Sequence, residues 1–504
     1  MPSRTFISSV AFAIVGIGAL FATDVINAND SIAGDDTSRP NILVIMCDDL
    51  GYADVGFNGS TDIQTPNLDA LAKAGTVCTS GYVAHPFCGP SRMGMMSGRY
   101  PHQFGAPFNL PNSGQGADAY VEHGIDPDEV LISTVMQRSG YFTAAVGKWH
   151  MGIQSSFHPN HRGFEEYYGF LGGGHKYFPQ QFQGVYERQK ARGIQHINEY
   201  VRPLEHNGRP VKETEYVTDG LSREAVRIIH NAATDDRPFF MFLAYNAPHT
   251  PLEAKPEDMA PFAHIGDEKR RTYAGMVFAV DRGVGQIVDA LSETSQLNDT
   301  LIVFLSDNGG KTSAGADNGP LREGKGSTFE GGYRVPMFFH WPGVVNAGQT
   351  YPHPITALDF YPTFAALADA SIPDGKVLDG KNVWASLING DNPRPDEMIY
   401  AMRHRQGFSD VGARRGPWKI TRTFRSPWKL FNLEQDLSES RDLIQQYPDV
   451  AAAMIEQTKQ WSSTHPRPLW FDNRKAESEW TKLEMPRHNE TFAFERPGQP
   501  AGQP

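Results

Sequence analysis

The chain has 504 residues, 39% of them hydrophobic and 11% aromatic, which is enough for one large packed domain and a smaller companion. A net charge of −12 excludes nucleic acid as an electrostatic partner, so any anionic substrate needs positive charge gathered at one place. Three cysteines, Cys47, Cys78 and Cys88, exclude a disulfide framework; a Cys47–Cys78 bridge stays open, and the odd number points to a separate task for one thiol.

Arg4, the apolar run from Ala11 to Ala22, and Val25-Ile26-Asn27-Ala28 predict a signal peptide over 1–28. The run is too short to span a bilayer securely, and the alternative is an uncleaved anchor. Either reading predicts an exported protein, periplasmic or secreted, with no stable membrane insertion after signal removal. Residues 29–40 read as a polar linker.

The apolar run Asn41 to Cys47 predicts a strand buried on both faces, and it stops at Asp48-Asp49. Thr65-Pro66 to Gly75 predicts a short helix with a threonine cap, and a second strand follows near Val77. Cys88-Gly89-Pro90-Ser91-Arg92 then opens a helix that Pro90 suits in its first turn and Gly98 ends. A group at such a helix start meets unpaired N–H groups and the positive end of the dipole. Val130 to Arg138 reads as helix, and Gly140 to Gly147 as a strand ending in Lys148-Trp149-His150, where alternation puts Lys148 and His150 on one side. Residues 155–215 are weakly periodic and read as long loops. A helix from Thr218 to Ala232 precedes a strand from Pro238 to Ala244, which ends near His249. A helix over 271–293 precedes a strand from Thr300 to Ser306, which ends at Asp307-Asn308. A glycine-rich loop with Lys325 leads to a strand from Met337 to His340.

This alternation predicts an α/β fold, a doubly wound, mostly parallel sheet flanked by helices over 41–388. Composition changes near 390. Short strands near 398–402, 418–421 and 429–433 and a helix over 448–462 predict a small C-terminal α+β subdomain over 389–480, followed by a loose tail over 481–504.

Four strands therefore end in polar residues that strand ends do not need for stability: Asp48-Asp49, Lys148 with His150, His249, and Asp307-Asn308. In an open parallel sheet these ends share one edge, where ligands bind. Asp48, Asp49, Asp307 and Asn308 offer only oxygen donors, which suit Ca²⁺, or Mg²⁺, rather than Zn²⁺. Arg92, Lys148 and Lys325 balance the three carboxylates, so a bound divalent ion leaves a net attraction for a monoanion.

Cys88-x-Pro90-x-Arg92, followed by Ser97-Gly98-Arg99, resembles the signature of the type I, formylglycine-dependent sulfatases of the alkaline phosphatase superfamily, an arylsulfatase-like family. The resemblance extends through Asp48-Asp49, Gly147-Lys148-Trp149-His150, Ala247-Pro248-His249, Asp307-Asn308 and Lys325, and covers most of residues 40–345; Trp428 to Leu433, with Asp436, Glu439 and Asp442, resembles the family's small-subdomain sequence. It implies a hydrolase for sulfate monoesters. Cys88 would be oxidised to formylglycine by a maturation enzyme that reads Cys88, Pro90 and Arg92. It implies one divalent metal held by Asp48, Asp49, Asp307, Asn308 and residue 88. It implies that the hydrated aldehyde attacks sulfur, that Arg92 and Lys148 steady it, that His249 and Lys325 face the leaving alcohol with His249 as general acid, and that His150 takes the proton that lets sulfate depart from the sulfated residue.

A phosphatase or phosphodiesterase of the same superfamily is the nearest alternative, and a non-catalytic sulfated-glycan-binding protein is the other. The aromatic, glycine-rich loops favour a sulfated carbohydrate over another sulfate monoester. His175, Lys176, Tyr177, Asp317, Arg322, Arg403 and Arg405 are candidates to reach the sugar, and spacing alone does not place them.

Overall fold

The computed structural model describes residues 39–110, 122–405, 408–423 and 426–482. The signal peptide over 1–28, and nearly all of the linker over 29–40 and of the tail over 481–504, lie outside the described residues. Among the described residues no helix is long and apolar enough to cross a membrane.

The strands of the first two sheets are β1 (Asn41–Cys47), β2 (Thr76–Cys78), β3 (Gly81–Tyr82), β4 (Phe142–Lys148), β5 (Glu166–Phe170) and β6 (Glu205–His206), then β7 (Arg209–Pro210), β8 (Phe239–Ala244), β9 (Thr300–Ser306), β10 (Met337–His340), β11 (Gln349–Tyr351) and β12 (Ile355–Thr356). Ten of them form one sheet in the order β11-β2-β10-β9-β1-β8-β4-β5-β6-β7, and β12 pairs with β3. The centre, β9-β1-β8-β4-β5, is parallel, and β10 joins β9 antiparallel. This is the expected doubly wound, mostly parallel sheet.

Every residue of β1, β8 and β9 is buried, because one apolar cluster covers each face. Successive β1 residues divide between the clusters: Ile42, Val44 and Met46 face one, and Leu43, Ile45 and Cys47 the other. Cys78 lies in the cluster opposite Cys47, and both thiols are free, so the bridge left open by the sequence is not made.

Two local expectations need correction. Helix α1 (Pro66–Lys73) is not capped by Thr65, whose hydroxyl instead donates to Asp69 and accepts from the Gly56 amide. Asp281, from the long helix Glu268–Glu293, accepts from the Asn67 and Leu68 amides at 3.2 and 2.8 Å, so a tertiary carboxylate takes the capping role. Residues 155–215 are also more ordered than loops. They supply β5 and the helix Pro179–Ala191, which buries only Phe182 and so leaves almost no apolar period to read.

The strands β13 (Met398–His404), β14 (Ser409–Arg415), β15 (Trp418–Arg422) and β16 (Lys429–Asn432) form an antiparallel sheet, with the helix Pro448–Ser462 packed against it. Lys419 of β15 is fully buried and lies 2.8 Å from Glu330 and 2.9 Å from Glu439. Arg334 also pairs with Glu330, at 3.2 Å. Burial opposes the Glu330 charge, but Lys419, Arg334 and Arg414 outweigh it and hold that carboxyl below its usual range. Burial, with the Glu330 charge adding to it against Lys419, pushes Glu439 up to about 7.

Replacing Lys419 by Met leaves buried Glu439 without its cation and Glu330 with Arg334 alone, and is expected to cost about 3–5 kcal/mol at neutral pH. Glu439 holds its proton in the folded state above the ordinary glutamate value of 4.5, so its contribution to stability falls as pH rises from 4.5 to about 7. Glu330 acts with the opposite sign below that window. Denaturant unfolding of Lys419→Met should therefore show a deficit that is largest at pH 7–8 and shrinks towards pH 5.

Candidate active site

The C-terminal ends of β1, β4, β8 and β9 meet beside the start of helix α2 (Cys88–Ser97), every residue of which is buried. Gly98 ends the helix in the left-handed region at φ 70. Cys88 opens α2 and Arg92 stands one turn later on the same face. The Gly89 amide donates to Asn109 Oδ1 at 3.0 Å, and the Cys88 Sγ lies 3.9 Å from the same oxygen. A Cβ at Gly89 would come within 2.9 Å of that oxygen and 3.5 Å of the His150 ring.

Three buried ion pairs surround Cys88. Arg92 reaches Asp307 Oδ2 with Nε at 2.9 Å and Nη2 at 2.8 Å, and its Nη1 donates to the Lys148 carbonyl at 3.0 Å. The Lys148 Nζ lies 2.6 Å from Asp48 Oδ2. The Lys325 Nζ lies 2.5 Å from Asp49 Oδ1 and 4.0 Å from Cys88 Sγ. The Asn308 amide also donates to Asp49 Oδ1, at 2.8 Å, and His249 Nε2 stands 3.7 Å from Asp49 Oδ2. Backbone bonds from the Asp48 amide to Ala247 and from the Asp307 amide to Cys47 carry the sheet pairing into the site.

Asp49 and His150 both sit at positive φ, 67° and 61°. These residue types are among those that tolerate the left-handed region, and such backbone clusters at functional sites. The turn corrects the expectation for His150: simple strand alternation with Lys148 does not bring it to the site, because the chain has left the strand. Gly147, at φ 102, has no room for a side chain, since a Cβ would lie 2.0 Å from the Ala244 carbonyl oxygen on β8.

Electrostatics follow from burial against these pairs. Burial opposes the Asp49 charge, but Lys325 and then His249 outweigh it and hold the carboxyl well below its ordinary range. Burial, then Asp48, push Asp307 up to about 6 against Arg92. Burial weighs against the Lys325 ammonium, but Asp49 and then Cys88 hold it above its ordinary range. His249 is pulled down to about 3, by burial first and then by Lys325, and His150 is pulled well below its ordinary value by burial and then Lys148. Burial raises the Cys88 thiol, with Lys148 and Lys325 opposing.

Asp48 Oδ1, Asp49 Oδ2 and Asn308 Oδ1 are buried and accept no hydrogen bond. One ligand atom from each of Asp48, Cys88 and Asp307 lies within 4.8 Å of the others, and the same holds for Asp48, Asp49 and His249. Hard oxygens left without donors at an anionic cluster fit a divalent cation.

Cys88, His150, His249 and Lys325 line a cavity of about 670 Å³ whose outer walls include Asn109, Tyr200, Arg403, Arg405, Asp472 and Lys475. Of the seven residues considered for sugar contact, Arg403 and Arg405 line it and the others do not. His175 is buried between the Lys176 and Arg202 carbonyls, Lys176 pairs with Glu253, and the Tyr177 hydroxyl ties down the Asn246 and His249 carbonyls. Asp317 accepts from the Gly319 amide, and Arg322 stacks on Phe329. Sequence reasoning missed Asn109, which no motif marks. Trp470 donates to the carbonyls of Phe108 and Asn109 at 3.0 and 3.1 Å and so fixes that loop from the distant C-terminal stretch.

The family model described as sulfatase matches residues 40–370, and the model for the C-terminal part of N-sulphoglucosamine sulphohydrolase matches 324–464. The chain is similar to human N-acetylgalactosamine-6-sulfatase, 33% identical over 365 residues that make up 70% of this chain and 66% of that protein. It is similar to human steryl-sulfatase, 32% identical over 424 residues and 71% of each chain. It therefore spans about two thirds of the length of the first of these relatives. Among solved structures it is similar to Ps i-CgsB in complex with k-i-k-neocarrahexaose, with 54% sequence identity and a TM-score of 0.88 over 90% of this chain and 100% of that one.

Asn109→Ala removes the acceptor of the buried Gly89 amide and is expected to cost about 1–3 kcal/mol. Asn109→Asp keeps an acceptor and should lose less; thermal unfolding midpoints of the two variants check the difference.

Proposed function

This chain belongs to the sulfatase family, whose members are sulfuric ester hydrolases, and from that premise we propose that it removes ester sulfate from a carrageenan-like oligosaccharide. The observation that carries the catalytic reading is Cys88 at the start of a buried helix, flanked by Lys148–Asp48, Arg92–Asp307 and Lys325–Asp49, and open to one cavity. The substrate class is supported by the 54% identity to Ps i-CgsB, crystallised with a neocarrahexaose. Arg4 ahead of the apolar run from Ala11 to Ala22, with Val25-Ile26-Asn27-Ala28 after it, supports export.

In this reading a maturation enzyme oxidises Cys88 to formylglycine, whose hydrate supplies one hydroxyl for attack on sulfur and a second whose deprotonation releases sulfate. Asp48, Asp49, Asp307 and Asn308 would hold a divalent ion, Ca²⁺ in our proposal, which would supply positive charge to polarise a sulfate oxygen. Arg92 fixes Asp307 and the Lys148 carbonyl together, so it holds the geometry of the set as well as adding charge. Lys148 and Arg92 steady the oxygens of residue 88. His150, kept neutral by burial and by Lys148, is suited to accept the proton of the second hydroxyl. His249 and Lys325 stand together at Asp49, and in this reading they face the leaving oxygen. In our proposal His249 delivers the proton to the leaving alcohol, with the Lys325 charge beside it.

The mass of the peptide containing residue 88, from protein made in its native host, is expected to be lower by one sulfur-for-oxygen exchange and two hydrogens. An unmodified thiol in fully active protein would overturn the nucleophile assignment. Ca²⁺ at a hundred times its dissociation constant should raise unfolding stability by about 2.7 kcal/mol, and Asp307→Asn should remove most of that increment. An increment unchanged in the variant would remove Asp307 from the cation site.

A further inference from the structure

Arg403 is a cation that the chemistry at Cys88 does not use. It is the last residue but one of β13, the edge strand of the C-terminal sheet, and Arg405 follows just past the strand; both line the same cavity. His404 between them turns inward to the Ser409 hydroxyl at 2.6 Å. The Arg403 guanidinium lies over the ring of Phe87, 4.5 Å from its centre, and donates to the Gly326 carbonyl at 2.6 Å. These contacts place it one residue from Cys88 on one side and one residue from Lys325 on the other. Arg405 pairs with Asp410 at 2.5 Å. Among the described residues no carboxylate pairs with Arg403 within 4 Å.

A mostly buried guanidinium with one carbonyl, one ring and a second arginine for company is poorly compensated. Burial, and then Arg405, pull its pKa from 12.5 down to about 10, against the more distant Asp410 and Asp472. Arg405 takes Asp410 and no carboxylate is bonded to Arg403 among the described residues, so both guanidinium groups reach the wall of the cavity, which Asp472 and Glu479 also line. That space is double. Phe87, Lys325, Arg403 and Arg405 line the cavity containing Cys88, and they also line an adjoining cavity of about 490 Å³ bounded by Lys311, Thr312 and Ser313. A chain running from one cavity to the other passes over the two arginines.

We propose that Arg403 and Arg405 form a second anion subsite that holds a sulfate on a sugar unit next to the one being cleaved. The guanidinium fork matches two oxygens of a sulfate as it does those of a carboxylate or phosphate, which a point-charge ammonium does not. The proposal rests on the sulfated-saccharide reading above and adds to it: the enzyme reads a sulfation pattern, preferring multiply sulfated chains to chains that carry only the scissile group.

The test compares two neocarra-oligosaccharides of equal length, one bearing a single sulfate at the cleaved position and one bearing a further sulfate on the neighbouring unit. Sulfate release is measured for the mature enzyme, and calorimetric binding of both saccharides for Cys88→Ala. The wild-type kcat/KM should favour the doubly sulfated chain by roughly 10- to 100-fold, the value of one charge-assisted bond pair. Arg403→Gln and Arg405→Gln should each shrink that ratio, chiefly through KM, and Arg403→Lys should restore part of it. Equal loss on both saccharides, or an unchanged ratio in both glutamine variants, overturns the subsite. If mature enzyme releases sulfate from neither chain, the sulfatase reading fails, and the binding arm still decides: tighter binding of the doubly sulfated chain that either glutamine substitution abolishes supports the subsite, and equal binding overturns it.

Discussion

Three carboxylates at the end of a buried parallel sheet are a severe electrostatic demand, and the rest of the site answers it. Taking one carboxylate from water into protein costs several kcal/mol even after relaxation. Asp48, Asp49 and Asp307 are each matched by a different cation, and each cation comes from a different element: Lys148 from the end of β4, Lys325 from the loop before β10, and Arg92 from α2. The pairing explains why α2 docks where it does, since Arg92 can satisfy Asp307 only when the first turn of the helix, and with it Cys88, lies against the sheet edge. The position of Cys88 is thus fixed by a salt bridge one turn away.

That same economy governs the join between the two sheets. Lys419 enters from β15 into a region that contains Glu330 and Glu439, and it is the only charge there that touches both carboxylates among the described residues. Arg414 of β14 adds hydrogen bonds to Ser80 and to the Tyr82 hydroxyl. Because β13 is held in place through this buried network, the arginines at its end are presented to the cavity by a rigid edge. Arg405 is tied to Asp410 of β14 as well.

Much of this was legible in the sequence, for reasons that differ by element. β1, β8 and β9 read plainly because strands buried on both faces are continuous apolar runs, and the polar residues after them stood out against that background. The helix Pro448–Ser462 had a clear period. β14 did not, because Ser409-Asp410-Val411-Gly412 carries little apolar signal; its strand character comes from pairing with β13 and β15, and Gly412 is needed where its backbone meets the Thr328 carbonyl. The cap of α1 by Asp281 was illegible since the two are over two hundred residues apart. The same holds for Asn109, which takes its role from a contact and has no motif. Arg403 and Arg405 were visible as charges, but only the fold could say which of the chain's many basic residues border the cavity.

The burial of α2 sets an order of events in the life of the chain. From Cys88 to Ser97 every residue is covered, Arg92 is locked to Asp307, and the Gly89 amide is tied to a loop that the C-terminal stretch holds shut. No second protein can thread that segment through its own active site once the sheet has closed over it. On the proposal that residue 88 is converted, an enzyme reading Cys88, Pro90 and Arg92 would have to meet them while the polypeptide is still extended. The proposed chemistry would then settle the identity of residue 88 before the tertiary structure exists, and folding would leave it open only towards the cavity.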